Sequence, residues 1–348
     1  MAQRLMLAPM RLPALSAVAA LALVTSTAVI ACAPAKGSHD DEGDQSTPSL
    51  DTMSATVIAD GPAARAAHAI KNVFVIVMEN HDWDSIKGNP SAPYINGTLL
   101  QIGAHAERYT SPHNIHPSEP NYVWMEAGDD LSIADDDDPD ANYRTTKRHL
   151  TRQMELANVS WRSWQESIAP GICPLTSGGL YGAKHNPFVF FEDVTEGRNP
   201  KSAHCIEHIR PYEELAGNLA GGSEAVAQYN FITPNLCNDM HDSGGCVTPD
   251  SVANGDAWLS REVPKILASK AYRDGGALFI TWDESEGGTG TPIGLIAISP
   301  FAKPGYSNAV AYTHSSLLRT VQDVFALRPF MRDAANATSL DDLFVTYP

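Results

Sequence analysis

Basic residues are scarce in this chain. Its 24 Lys and Arg stand against 41 Asp and Glu, a formal net charge of −17. A phosphate backbone needs clustered cations, so this balance argues against nucleic acid as a partner. Long apolar runs are equally few: after Leu12 to Ala31, no stretch is long enough to span a bilayer. There is no Cys-x-x-Cys pair, which weakens any zinc reading of the cysteines. There is no internal repeat. The acidic run Asp135 to Asp138 lacks the Gly and Asn spacing of an EF-hand loop. That run, and Asp40-Asp41-Glu42-Gly43-Asp44, read as solvated loop.

What is present is enough for a large folded domain. The chain has 348 residues, 43% of them hydrophobic, which is incompatible with wholesale disorder. Arg4 and Arg11 precede the apolar stretch, which ends Val29-Ile30-Ala31-Cys32. This pattern is expected to be a lipoprotein-type export signal over 1–32, with lipid on Cys32 tethering the protein to the cell envelope. An ordinary signal peptide or a retained anchor are the alternatives. Residues 33–67, rich in Ala, Ser, Asp, Gly, Thr and Pro, read as a flexible tether, and 68–348 as the folded domain. Four cysteines remain in that domain. Export favours their oxidation, and short loops cost least to close, so Cys173–Cys205 and Cys237–Cys246 are the expected disulfides.

Within the domain, Asn72 to Met78, Gly276 to Trp282 and Ile293 to Ser299 are apolar on both faces. Strands without polar alternation belong in the middle of a sheet covered on both sides. Ala253 to Leu267 and Ser315 to Leu327 have helical periodicity. The expected fold class is therefore α/β, with a mainly parallel central sheet and helices on both faces. Ligands bind such sheets at the carboxyl ends of the strands. Glu79 and Asn80 follow the first strand, and Asp283 and Glu284 follow the strand ending at Trp282. Acidic groups gathered at one edge repel each other unless a cation lies between them, and a hard divalent ion with oxygen ligands answers that requirement. A third candidate is Ser118, in His116-Pro117-Ser118-Glu119-Pro120-Asn121-Tyr122, just before a helix expected near Asn121. There it is either a helix cap or a nucleophile beside an anion site. His68, His105, His149, His204 and His208 read as structural. Trp124, Trp161, Trp164, Tyr181, Phe188 and Phe190 read mainly as core. The Gly-, Pro- and Asn-rich segment from Cys173 to Cys205 is a candidate loop over the site.

Blocks in order along the domain resemble the phosphoesterase family of acid phosphatases and bacterial phospholipases C, related to the alkaline phosphatase superfamily. They are Val77-Met78-Glu79-Asn80, the string around Ser118, Lys184-His185-Asn186-Pro187, Phe231 through Asp242, Thr281-Trp282-Asp283-Glu284 and Tyr312-Thr313-His314-Ser315. The resemblance implies an alkaline-phosphatase-like fold with Glu79, Asn80, Ser118, Asp283 and Glu284 as metal ligands. Ser118 is then the nucleophile and His241 a catalytic acid, while Lys184, His185 and His314 bind substrate. Two-zinc relatives carry Asp where this chain has Asn235, so one divalent metal ion is expected.

Three functions are compatible with this reading. The first is hydrolysis of phosphate monoesters through a phosphoserine. The second is a phospholipase C or other phosphodiesterase using the same site. The third is a non-enzymatic surface-binding lipoprotein, against which the complete ligand set argues.

Overall fold

The computed structural model describes residues 61–348, apart from 243 and 287–289. The expected signal, Cys32 and all of the tether up to residue 60 lie outside the described residues. The last tether residues, Gly61–Ala67, form a short helix. Its Arg65 donates to the Ala157 carbonyl at 3.2 Å, so this stretch is anchored to the domain.

One eight-stranded sheet organises the domain. Its strands are β1 (Asn72–Met78), β2 (Ala104–Thr110), β3 (Trp161–Gln165), β4 (Ile209–Pro211), β5 (Tyr229–Thr233), β6 (Gly276–Trp282), β7 (Leu295–Ile298) and β8 (Ser307–Thr313). They lie in the order β4-β3-β5-β1-β6-β7-β2-β8. Only β7 runs against its neighbours, so the sheet is mainly parallel as its apolar strands predict. β1 and β6 begin and end at the residues expected from sequence, and every residue of both is buried. Each fully buried Val, Ile or Phe contributes about 1.5–3 kcal/mol relative to exposure. Central strands of this kind provide the stability against which a desolvated polar site can be held.

Side chains alternate across a strand, and the two faces of β1 and β5 meet different helices. Phe231, opposite Val75 in the β1–β5 register, packs edge-on against Tyr122 of the helix Ser118–Ala127 at 6.3 Å between ring centroids. On the other face, Met78 closes on Gly255 of the helix Ser251–Ala268, where an added Cβ would lie 2.9 Å from Met78 Cε. The long helix keeps Gly255 because the sheet and Met240 leave it no room for a side chain. The helix His314–Val324 starts with a capping box at Thr313 and Ser316. Both expected disulfides are present, Cys173–Cys205 and Cys237–Cys246. The six aromatics read as core are buried. Among the described residues, no helix is long and apolar enough to cross a membrane.

Candidate active site

The parallel register brings the acidic clusters together. Met78 pairs with Trp282 at the ends of β1 and β6, so the next residues, Glu79 and Asp283, emerge side by side one strand spacing apart. Asn80 then turns back with φ 48°, a left-handed conformation that Asn tolerates better than most residues. The turn lets the Asn80 amide donate to Asp283 Oδ1 at 2.9 Å. The Asp283 amide in turn donates to the Met78 carbonyl at 2.9 Å.

Ser118 is the first residue of its helix, so the turn of unpaired backbone N–H groups begins at the candidate nucleophile. Its hydroxyl donates to Glu79 Oε2 at 3.0 Å. Tyr122, one helical turn on, donates to Glu79 Oε1 at 2.5 Å. Glu284 is held by Asn121 Nδ2 at 3.1 Å and lies 2.6 Å from His116 Nδ1. The string from His116 to Tyr122 thus binds both carboxylate clusters with four of its side chains.

These acids are crowded and dry. Burial raises the Glu79 carboxyl above its ordinary range. Burial, followed by the charge of Glu79, pushes Asp283 up to about 8. Burial, followed by the charges of Asp283 and Glu79, pushes Glu284 up to about 9. Asp283 Oδ2 and Asn80 Oδ1 are buried without a hydrogen-bond partner among the described residues. Desolvated carboxylates and orphaned oxygens gathered where β1 and β6 end fit a hard divalent cation, whose charge reverses the local preference for protonation.

Beside the acids stands a nitrogen-rich wall. His185 Nε2 is 3.2 Å from Glu79 Oε1 and its Nδ1 is 3.4 Å from Asp239 Oδ2. The His185 ring stacks on Tyr122 at 5.1 Å and faces the His241 ring at 5.6 Å. Lys184 Nζ is 3.4 Å from His241 Nε2 and donates to Asp136 Oδ2 at 2.9 Å. Asp242 Oδ1 fixes the His241 ring through Nδ1 at 2.8 Å. Glu79, His185 and His241 bring ligand atoms within 4.8 Å of one another, so the wall and the acid cluster are continuous. The segment between Cys173 and Cys205 supplies Lys184 and His185, and its disulfide ties it down.

Two expectations are corrected. His314 does not offer a nitrogen to substrate. Its Nε2 lies 2.6 Å from the Asp283 carbonyl and its Nδ1 is 3.0 Å from the Tyr109 hydroxyl. Burial depresses its pKa to about 4, so the ring is neutral, donating to the carbonyl and accepting from the tyrosine. It braces the chain at Asp283. The acidic run is not simply solvated loop either, because Asp136 accepts from Lys184 and from the Glu119 amide at 3.0 Å. Asn235, read as a lost metal ligand, has another use: its Oδ1 accepts from the Cys237 and Asn238 amides.

Sequence reasoning missed Asp239, which is wholly buried against His185. Burial, the largest influence, pushes Asp239 up to about 7. It also left His116, Asn121 and Tyr122 without roles. The signal for the last two was in the string itself, since a helix beginning at Ser118 puts Asn121 and Tyr122 on the face that Ser118 occupies.

The sequence model described as the Phosphoesterase family matches residues 98–328. A protein of Mycobacterium tuberculosis named phosphatidylinositol-3-phosphatase is 29% identical over 82% of this chain and 86% of its own length. A probable acid phosphatase of Kluyveromyces lactis is 25% identical over 83% of this chain and 66% of its own length. An acid phosphatase of Aspergillus fumigatus is 23% identical over 78% of this chain and 59% of its own. The chain thus spans most of the mycobacterial relative but less than two thirds of the fungal ones. Among solved structures, murine ectonucleotide pyrophosphatase/phosphodiesterase 5 aligns with TM-score 0.52 at 11% identity, covering 78% of this chain and all of that one. A Vibrio parahaemolyticus protein of the alkaline phosphatase superfamily aligns with TM-score 0.50 at 11% identity, over 84% of this chain and 81% of that one. These two likenesses establish the fold.

Proposed function

The chain belongs to the phosphoesterase family, and on that premise we propose that it hydrolyses phosphate monoesters, with Ser118 as nucleophile and one divalent cation as cofactor. The observation that carries the proposal is the hydrogen bond from the Ser118 hydroxyl to Glu79, made at a helix N-terminus inside a ring of buried acids. A serine used only as a cap would bond its own helix, and Ser118 bonds a carboxylate just beyond the end of β1.

Glu79, Asn80, Ser118, Asp283 and Glu284 are the residues that would hold the cation. When bound, the cation neutralises these acids, lowers the pKa of the serine hydroxyl and offsets charge on the phosphoryl oxygens. The chain's own groups do the rest. Ser118 Oγ, its proton released to solvent, attacks phosphorus as the ester P–O bond breaks. Lys184 and His185 donate to phosphoryl oxygens as their charge grows. His241 Nε2 gives a proton to the departing oxygen, with Asp242 holding the other side of the ring. Water then attacks the phosphoserine and gives a proton back to His241, inorganic phosphate leaves and Ser118 Oγ takes up a proton from solvent.

A second reading keeps this site and takes a phosphodiester or a phospholipid headgroup as substrate. It is favoured by the name of the mycobacterial relative and by the lipid tether expected at Cys32. The two disulfides suit either case, since both place the protein in an oxidising compartment. One purified preparation assayed on an aryl phosphate monoester, an aryl phosphodiester and phosphatidylcholine vesicles tests the assignment. Fastest turnover of the monoester is expected. Cleavage of the diester or of phosphatidylcholine at a higher kcat/KM would replace monoesterase with phosphodiesterase or phospholipase C.

A further inference from the structure

His204 and His208 share one face of the helix Ala203–His208, which leads into β4. Glu155 projects from the helix Leu150–Leu156, which leads towards β3. Donor atoms of these three side chains lie within 4.8 Å of one another. The cluster sits where β3 and β4 begin, whereas Glu79 and Asp283 stand where β1 and β6 finish. All four strands run in the same direction, so the cluster is at the opposite edge of the sheet from the catalytic groups.

The hydrogen bonds around the cluster fix its chemistry. His208 Nδ1 is 3.0 Å from the Trp161 carbonyl and His204 Nδ1 is 3.3 Å from the Val194 carbonyl. A carbonyl only accepts, so each Nδ1 carries a proton and each Nε2 is the atom left to bind. His204 Nε2 faces Glu155 Oε1 at 2.7 Å. That approach requires a positive charge between the two atoms, either a proton or a metal. Histidines that ligate metals almost always donate their other ring N–H to a carbonyl or carboxylate, and both rings do so here. Other contacts hold the donors in place. The Trp161 ring stacks on His208 at 4.2 Å and its Nε1 donates to Glu155 Oε1 at 3.2 Å. Arg152 pairs with the other Glu155 oxygen at 3.3 Å. Cys205, between the two histidines, is anchored by the disulfide to Cys173.

The geometry points to a second metal site at Glu155, His204 and His208, selective for a borderline d-block cation such as zinc and separate from catalysis. Two imidazoles and one carboxylate disfavour magnesium and calcium, which take oxygen ligands, and suit zinc, nickel or copper. Tetrahedral zinc sets its donors roughly 3.3 Å apart, so entry asks Glu155 to part slightly from His204, and water completes the shell. A bound ion would clip the two helices together and hold β4, which is only three residues long, against the sheet. Its effect is on stability, with turnover unchanged.

The experiment is zinc titration of chelator-stripped protein by calorimetry, comparing wild type with the double variant His204→Ala/His208→Ala and with Glu155→Gln. Wild type should bind one equivalent more than the double variant, whatever the catalytic site takes. Zinc should raise the thermal midpoint of wild type by an increment the double variant lacks. Glu155→Gln still accepts from Trp161, so its fold is preserved, and its affinity at this site should fall at least about tenfold. Aryl phosphate turnover by both variants, assayed with the metal that best supports wild type, reports that the domain is intact. Equal zinc stoichiometry in wild type and the double variant, or unchanged affinity in Glu155→Gln, would overturn the site and leave an imidazolium–carboxylate pair.

Discussion

Ser118 Oγ lies 3.0 Å from Glu79 Oε2 although the two residues are 39 positions apart in sequence. The contact joins the start of a helix to the end of a central strand, and it sets the first prediction. Ser118→Ala should lower kcat on an aryl phosphate by about 10⁴-fold or more, the scale on which loss of an essential nucleophile acts. The thermal midpoint should move little, because Tyr122 still donates to Glu79. Acid quenching of wild type during turnover should trap phosphate on the Ser118 peptide, detectable by mass spectrometry. An active Ser118→Ala enzyme would remove the phosphoserine from the mechanism.

Removal of divalent cations should invert the usual behaviour of carboxylates. Asp283 and Glu284 have folded-state pKa values raised to about 8 and about 9, above the ordinary range of about 4. Between those limits the folded, cation-free protein binds more protons than the unfolded chain. Stability must therefore fall as pH rises. In excess chelator, the thermal midpoint should drop between about pH 5 and pH 8, and a divalent cation should restore it at the higher pH. A midpoint that is flat or rising over that window in chelator would show that these acids are not held together as described.

Much of this was legible in the sequence because it derives from apolar patterning. β1 and β6 are seven-residue strands buried throughout, and a strand buried on both faces has only one place in an α/β fold. Residues at the carboxyl end of such a strand face the ligand edge, and that position singles out Glu79 and Asp283. The registration of β1 on β6, which sets the two acids side by side, depends on strand order that no local pattern encodes. His314 shows the same limit. Its neighbours in sequence match the family's block, yet its ring is turned to the Asp283 carbonyl and Tyr109. Orientation of that kind is decided by tertiary contacts. Asp239 was hidden for a related reason, since it comes from an irregular loop without periodicity to flag it.

His241 is the group suited to protonating the leaving oxygen, and the nature of the leaving group tests it. His241→Ala should reduce kcat by about 10²- to 10⁴-fold on phenyl or alkyl phosphates, the usual contribution of a positioned general acid. On nitrophenyl phosphate, whose leaving oxygen needs no proton, the loss should be much smaller. Equal losses on both substrates would assign His241 to holding phosphate or cation, as its closeness to Glu79 and His185 also permits.

Asp136 engages two hydrogen-bond donors close to Ser118 and His241. Its Oδ1 accepts from the Glu119 amide in the first turn of the Ser118 helix, and its Oδ2 accepts from Lys184. Lys184 belongs to the wall proposed to receive phosphate and the Glu119 amide to the helix start at Ser118, so an anionic substrate bound there must compete with this carboxylate. Asp136→Asn keeps the size of the side chain and an oxygen to accept from Glu119, but removes the charge. The KM for an aryl phosphate and the inhibition constant of inorganic phosphate should both fall, by about three- to tenfold, the effect of one like charge lost at a partly screened site. The gain should shrink at high ionic strength. Should Asp136→Asn raise KM, the carboxylate's value lies in positioning Lys184, and the lysine acts on substrate only while Asp136 holds it.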